Sequence, residues 1–372
     1  IPALLGYNNL EVTAATWSAT DALTVNGYLT VNGAAVATFN GDLAITGALT
    51  VNGTAIASFN AGAGGQATST GTASFTTSGT ISFGNDISDS FTVTGGVLAI
   101  SGTPTFALAG TLDATGITLG KDAGLAAPTA FASTVTVSAN SIVTTNAHAL
   151  TFNANTDCTT NNLETAGTGT VTIADGVTLT STSGNLTFGG AVSLAGAASS
   201  ISTTDGTITF SDTVTNAGSI TGGTALLSFA STVVNNNTIT AGSGNIDFGN
   251  TVTNTGTIAV GGNAITATGG AGITGGTVTI SDTGSIDARG TITTLTVSDA
   301  ADTITIDGDT GFVITNPVRG NLTTSGTITL NSTAATPITS LSNSGSINLN
   351  GDLNVTGDIS TSGSLAVDDG EN

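Results

Sequence analysis

The octets TVTNAGSI, TVVNNNTI and TVTNTGTI begin at Thr213, Thr232 and Thr251, so one phrase recurs at a step of nineteen residues. A unit that short cannot bury an apolar face of its own. It becomes stable when copies stack and each covers its neighbour, so a fixed step near twenty residues points to a solenoid.

The period extends along the chain. LTVNGAAVATFNG from Leu29 is followed twenty residues later by LTVNGTAIASFN from Leu49, with Phe39 and Phe59 in the same phase. Phe188, Phe210, Phe229 and Phe248 close the words LTF, ITF, LSF and IDF, and Phe106, Phe131 and Phe152 read as the same series upstream. Gly326, Gly345 and Gly363 mark it near the end. Within each unit, words such as TITF and TVTI alternate at period two, the signature of strands with one face in and one face out. Gly, Asn, Asp and Ser separate the strands, and these residues suit sharp corners. The expected fold is all-β: a single long parallel β-solenoid (β-helix) of about 18 coils with roughly 19–20 residues each, about 90 Å long at the spacing of paired strands. Serial β-sandwich domains are the competing architecture, but those repeat at about 100 residues. Phe210, Phe229 and Phe248, with Phe188, are expected to form an interior stack, and Asn216, Asn235 and Asn254 an asparagine ladder at a corner.

Composition agrees and narrows the function. Only 7% of residues are charged, and 38% are hydrophobic. Thr, Val and Ile favour strands. Lys121, Arg289, Arg319 and His148 are the basic residues, against 24 acids and a net charge of -21. Nucleic acid is excluded as a partner, since so few cations cannot neutralise a phosphate backbone. Anionic lipid surfaces are excluded likewise. No apolar run reaches the length of a membrane-spanning helix, so membrane insertion is not expected. Cys158 is the only cysteine and cannot form an internal disulfide. The opening IPALLGYNNL, without Met or a basic region, reads as a mature secreted chain whose signal peptide has been removed.

The unit V-T-N-x-G-x-I at 214–220 and 252–258, with LSNSGSI at 341–347, resembles the repeats of filamentous-haemagglutinin-like adhesins and the β-helical passengers of autotransporters. That resemblance implies a right-handed parallel β-helix at a bacterial surface. GDLNVTGDISTSGSLAV from Gly351 and LTVNGYLTVNG from Leu23 are similar to repeats of trimeric phage tail fibres. Neither family supplies a catalytic residue.

Some segments break the period. Residues 1–22 hold Ile1, Pro2, Leu4, Leu5, Tyr7 and Trp17, and read as an N-terminal cap or a docking arm that assembles with a second copy. The solenoid is placed at 23–367, and 368–372 is an acidic tail. Asn60–Gly71, Gly120–Phe131 and Thr315–Asn321 read as inserted loops.

Catalytic chemistry is not legible. One histidine and one cysteine make neither a triad nor a zinc site. The best acidic clusters are Asp282 and Asp287 beside Arg289, and Asp302, Asp307 and Asp309. They are candidate Ca²⁺ ligands, although turns attract Asp without any metal. No cofactor is required; calcium is the one ion considered. Thr-x-Thr pairs at Thr134/Thr136 and Thr303/Thr305 raise an ice-binding face that orders water, but Thr is so abundant that chance accounts for them. The expected function is that of a non-enzymatic, extracellular or cell-surface structural protein whose solenoids polymerise end to end. A stalk that binds surface glycans through side loops, or a trimeric fibre, is the alternative.

Overall fold

The computed structural model describes residues 6–60, 65–261, 263–267, 272–280, 285–288, 291–297, 303–308, 312–314, 320–324, 327–330, 338–349 and 355–367. The chain divides into two compact units, Ile1–Ala191 and Val192–Asn372. The described residues are all-β without helix, wound as a parallel β-solenoid.

In the first unit each coil contributes three short strands, one to each of three faces. On the first face Leu23–Val25, Leu43–Ile45, Gln66–Ser69 and Ser90–Val93 follow one another. On the second, Leu10–Val12, Leu29–Val31, Leu49–Val51 and Ala73–Phe75 form a four-stranded ladder. On the third, Thr16–Ala19, Val36–Phe39, Ile56–Phe59 and Thr80–Phe83 pair in turn. Every pairing is parallel, and equivalent residues meet: Leu29 with Leu49, Thr30 with Thr50, Val31 with Val51. The alternation read from the sequence becomes alternate burial, with Leu49 and Val51 fully buried and Thr50 between them half-exposed. Most backbone groups at the corners bond to the next coil as well, as in Asn52 N to Val31 O at 2.9 Å and Thr54 N to Gly33 O at 2.7 Å.

The second unit has the same plan. Val214–Asn216, Val233–Asn235 and Val252–Asn254 lie on its first face. Ser219–Gly222, Thr238–Ala241, Thr257–Val260 and Thr277–Ile280 lie on its second. Ile208–Phe210, Leu227–Phe229, Ile246–Phe248 and Ala264–Ala267 lie on its third. A further ladder runs from Thr291–Ile292 through Phe312–Ile314, Thr327–Leu330 and Ser346–Leu349 to Ser364–Val367.

The core of each unit is a set of ranks, one residue per coil. Phe39 and Phe59 are in register and stack at 5.3 Å with their rings 6° from parallel. Phe210, Phe229 and Phe248 stack at 4.9 and 5.1 Å. Offset stacking of this kind adds about 0.5–1.5 kcal/mol per pair to the burial itself.

Three expectations change. First, the winding makes about 15 turns rather than about 18. The coil is not of constant length: Leu23 meets Leu43, but Leu43 meets Ala67 and Ile81 meets Phe106. A corner can take in extra residues without disturbing the strands on either side, so the period stretches. Second, Phe106, Phe131 and Phe152 are not one series. Phe131 and Phe152 share a rank with Phe91 and Leu112 on the first face, whereas Phe106 aligns with Ile81 and Ala123 on the third. Third, two expected loops are strands. Gln66–Ser69 is a rung of the first face, and Ala123–Phe131 is a nine-residue strand passing from the third face to the first without a break. The strand before it, Thr105–Ala114, makes the same passage in ten residues. The pairing of these two shifts register between Leu108 and Gly110, and Gly110 takes a φ of 69°. A Cβ there would lie 2.1 Å from the Asp89 carbonyl oxygen, so only glycine fits. Residues 315–319 of the third expected loop lie outside the described residues.

Because each Phe stacks on coils above and below, trimming one opens a cavity that two neighbours border. Phe229→Ala is expected to cost about 3–5 kcal/mol, read as a lower urea midpoint with unchanged strand content by circular dichroism.

Candidate functional site

The most organised polar feature is the asparagine rank of the second unit. Each of Asn216, Asn235 and Asn254 ends a first-face strand and is buried among apolar residues. A buried amide must be satisfied, and here the rank satisfies itself. Asn216 Nδ2 donates to Asn235 Oδ1 at 2.7 Å, and Asn235 Nδ2 donates to Asn254 Oδ1 at 2.8 Å. The same amides donate to strand carbonyls of the next coil: Asn216 to Thr238 O at 2.9 Å, Asn235 to Thr257 O at 3.1 Å and Asn254 to Thr277 O at 3.2 Å. Asn216 Oδ1 also accepts the backbone N–H of Gly218 at 3.0 Å, closing the turn into the second face. This explains the word N-x-G. The asparagine holds the corner and binds the next coil, and a Cβ on Gly256 would meet the Asn237 carbonyl oxygen at 1.9 Å. Asn343 repeats the geometry in the LSNSGSI unit, accepting from Gly345 N at 3.0 Å and donating to Ser364 O at 2.9 Å.

Phe188, the remaining member of the expected ladders, belongs to the first unit. It is buried on the third face in register with Thr165.

Of the expected assembly residues, Ile1, Pro2, Leu4 and Leu5 lie outside the described residues. Tyr7 is half-buried in the strand Gly6–Tyr7, in register with Val25. Trp17 is half-buried in Thr16–Ala19, with its ring centroid 5.1 Å from that of Phe39. The described part of residues 1–22 thus supplies three strands that pair with the coil after it.

Of the candidate calcium ligands, Asp282, Asp302 and Asp309 lie outside the described residues, as do 368–372. Asp287 and Asp307 occupy adjacent rungs in register. Among the described residues no group of three or more His, Cys, Asp or Glu is arranged to hold a metal ion. Sequence reasoning missed the most enclosed carboxylate, Asp89, which is buried in the corner after Phe83. Its Oδ2 accepts the N–H groups of Asn85 and Asp86 at 2.9 and 3.1 Å. Asp86 is exposed, and hydrogen bonds from the Ser88 backbone and hydroxyl hold its carboxyl below the usual value. A notch of about 110 Å³ lies against Ile87, Thr111, Pro128 and Ala130, well under the size of a small-molecule pocket.

His148 sits half-buried in a turn, its backbone N–H donating to Thr145 O at 2.9 Å. Cys158 is fully buried, and burial, with the Asp157 carboxylate adding to it, pushes its thiol up to about 12. No helix among the described residues is long and apolar enough to cross a membrane.

No protein-family model, curated protein or solved structure matches this chain.

Two outcomes follow from this geometry. Asn235→Leu leaves the Asn254 Oδ1 without its donor and the Asn216 amide without one acceptor. A loss of about 1–3 kcal/mol is expected, with faster hydrogen exchange over 214–277. The Cys158 thiol has a higher pKa folded than unfolded, so the stability it contributes is intact below about pH 9 and declines as pH rises toward 12. Urea midpoints measured from pH 8 to 11 should fall more steeply for the natural chain than for Cys158→Ala. A thiol reagent should label Cys158 only after denaturation.

Proposed function

We propose that this chain is a secreted structural protein, the subunit of an extracellular filament, sheath or surface layer in which β-solenoids join end to end. A β-solenoid is an architecture typical of structural and adhesin-like extracellular proteins. The observation that carries the finer reading is the state of the last described coil. Ile359 pairs in register with Leu341, and Leu365 with Ile347. Leu341 and Ile347 are 2% and 0% exposed, whereas Ile359 and Leu365 are 56% and 39% exposed. Residues of core type thus stand exposed at positions that are core in the coil before. A parallel strand edge of this kind templates a further parallel strand. Across a solenoid such a surface is apolar in the middle and hydrogen-bonding along its rim. It is met most completely by another coil of the same cross-section. The near absence of Lys, Arg and Met gives trypsin-like proteases and oxidants few points of attack, which suits exposure outside a cell.

Negative-stain electron microscopy of the undenatured chain tests this. Filaments of constant width are expected, and Ile359→Asp combined with Leu365→Asp should abolish them while circular dichroism stays unchanged. Discrete particles at every concentration, with and without calcium, would overturn the polymer reading in favour of an adhesin stalk.

A further inference from the structure

The second face of the second unit presents outward hydroxyls in two parallel ranks. Its strands are four residues long with the burial pattern half-exposed, buried, half-exposed, buried. Each therefore points two side chains outward, as Thr178–Ser181 also does on the second face of the first unit, whereas the three-residue strands there point out one. Those two positions are Thr or Ser on strand after strand: Ser219 and Thr221, Thr238 and Thr240, Thr277 and Thr279. Thr257 continues the first rank, and Ala259 is the one exception in the second. The register is unbroken, from Ser200–Thr203 through these strands to Thr294–Val297, where Thr294 pairs with Thr277 and Thr296 with Thr279. Thr221 and Thr240 hydroxyls lie 3.5 Å apart across two coils, so the side chains of one rank stand side by side.

Two physical properties follow. Neighbouring strands are about 4.8 Å apart, and alternate residues along a strand about 6.7 Å apart, so the outward groups form a rectangular net of fixed dimensions. The net is stiff, because the residues between its two ranks, Ile220, Ile239, Ile258 and Val278, are fully buried and in register. Among the described residues the outward positions of this face carry no charge, in a chain of net charge -21. The third face of the same unit, by contrast, carries Asp247 at an outward position and Asp287 and Asp307 in register with each other. Carboxylates organise water radially around themselves. A flat array of hydroxyls and methyls lets water keep its own tetrahedral network, the methyls caging it and the hydroxyls anchoring it.

The geometry points to crystalline water as the ligand: we infer that the second face of the second unit binds ice. The oxygen net of a prism plane of hexagonal ice is rectangular with spacings close to both of those above. A Thr-lined strand array is complementary to it in two dimensions at once. The Thr pairs singled out from the sequence do not form this array. Thr136 lies on a first-unit strand with one outward residue, and Thr303 and Thr305 lie on the third face of the second unit. The inference is independent of whether the chain polymerises.

The test is ice growth in a nanolitre osmometer, with fluorescent labelling of a single-crystal ice hemisphere by the full chain. The natural chain should shape ice, lower its growth temperature and label prism planes. Thr240→Lys and, separately, Thr257→Lys should lose all three effects. Thr215→Lys, an outward residue of the first face, should keep them. No shaping or plane labelling by the natural chain overturns the inference. So does equal loss in Thr215→Lys, or full retention in both face variants while folded. Should neither face variant fold, the natural chain and Thr215→Lys decide it.

Discussion

Everything in this structure rests on parallel, in-register hydrogen bonding between one coil and the next. A strand of three or four residues has too few contacts to exist alone. Here strands donate to and accept from their neighbours, and the corners do the same, so among the described residues both are tied from coil to coil. Register then forces like onto like. Leu lies on Leu, Phe on Phe and Asn on Asn, and each rank is only as good as its least compatible member. That is why the chain repeats its words: a substitution is felt by two neighbours, and residues that stack well on themselves are the ones that fit.

The asparagine rank shows how this constraint handles polarity. A single buried Asn in an apolar core would carry an unmet donor or acceptor. In a rank, the amide of one residue supplies the acceptor that the last one needs, and the spare hydrogen bonds go to the corner and the next strand. Polar groups that would weaken an ordinary core become links between coils. Asp89 meets a similar problem only in part: its Oδ2 receives two backbone N–H groups at its own corner, while its Oδ1 is buried without a partner.

The same stacking transfers order to the outside. Inward ranks give cohesion, and the outward ranks between them become rows of identical groups at strand spacing. On one face of the second unit the described rows are hydroxyls without charge, and on the third face of that unit Asp247 enters the row. At the last described coil Ile359 and Leu365 are exposed at positions that are core one coil earlier. A fold with so little chemical variety can thus carry distinct surfaces, because position in the coil decides what each Thr or Ile does.

The nineteen-residue words, the alternation within them and the scarcity of charge were enough to determine a parallel β-solenoid, the Phe210–Phe229–Phe248 stack and the corner role of Asn216, Asn235 and Asn254. Those features are local and periodic, so they are written directly in residue order. Which face a strand joins was not legible. All three faces use the same Thr/Val/Ile/Gly vocabulary, so Phe106 could not be told from Phe131, and the Ala-rich stretch 123–131 read as a loop although it alternates between buried and half-exposed along its length. Coil length was hidden for the same reason, since a corner absorbs residues without changing the words beside it. The hydroxyl array and the open last coil exist only once coils are laid in register. Each is a relation between residues about twenty positions apart, decided by the tertiary stacking rather than by any stretch of sequence.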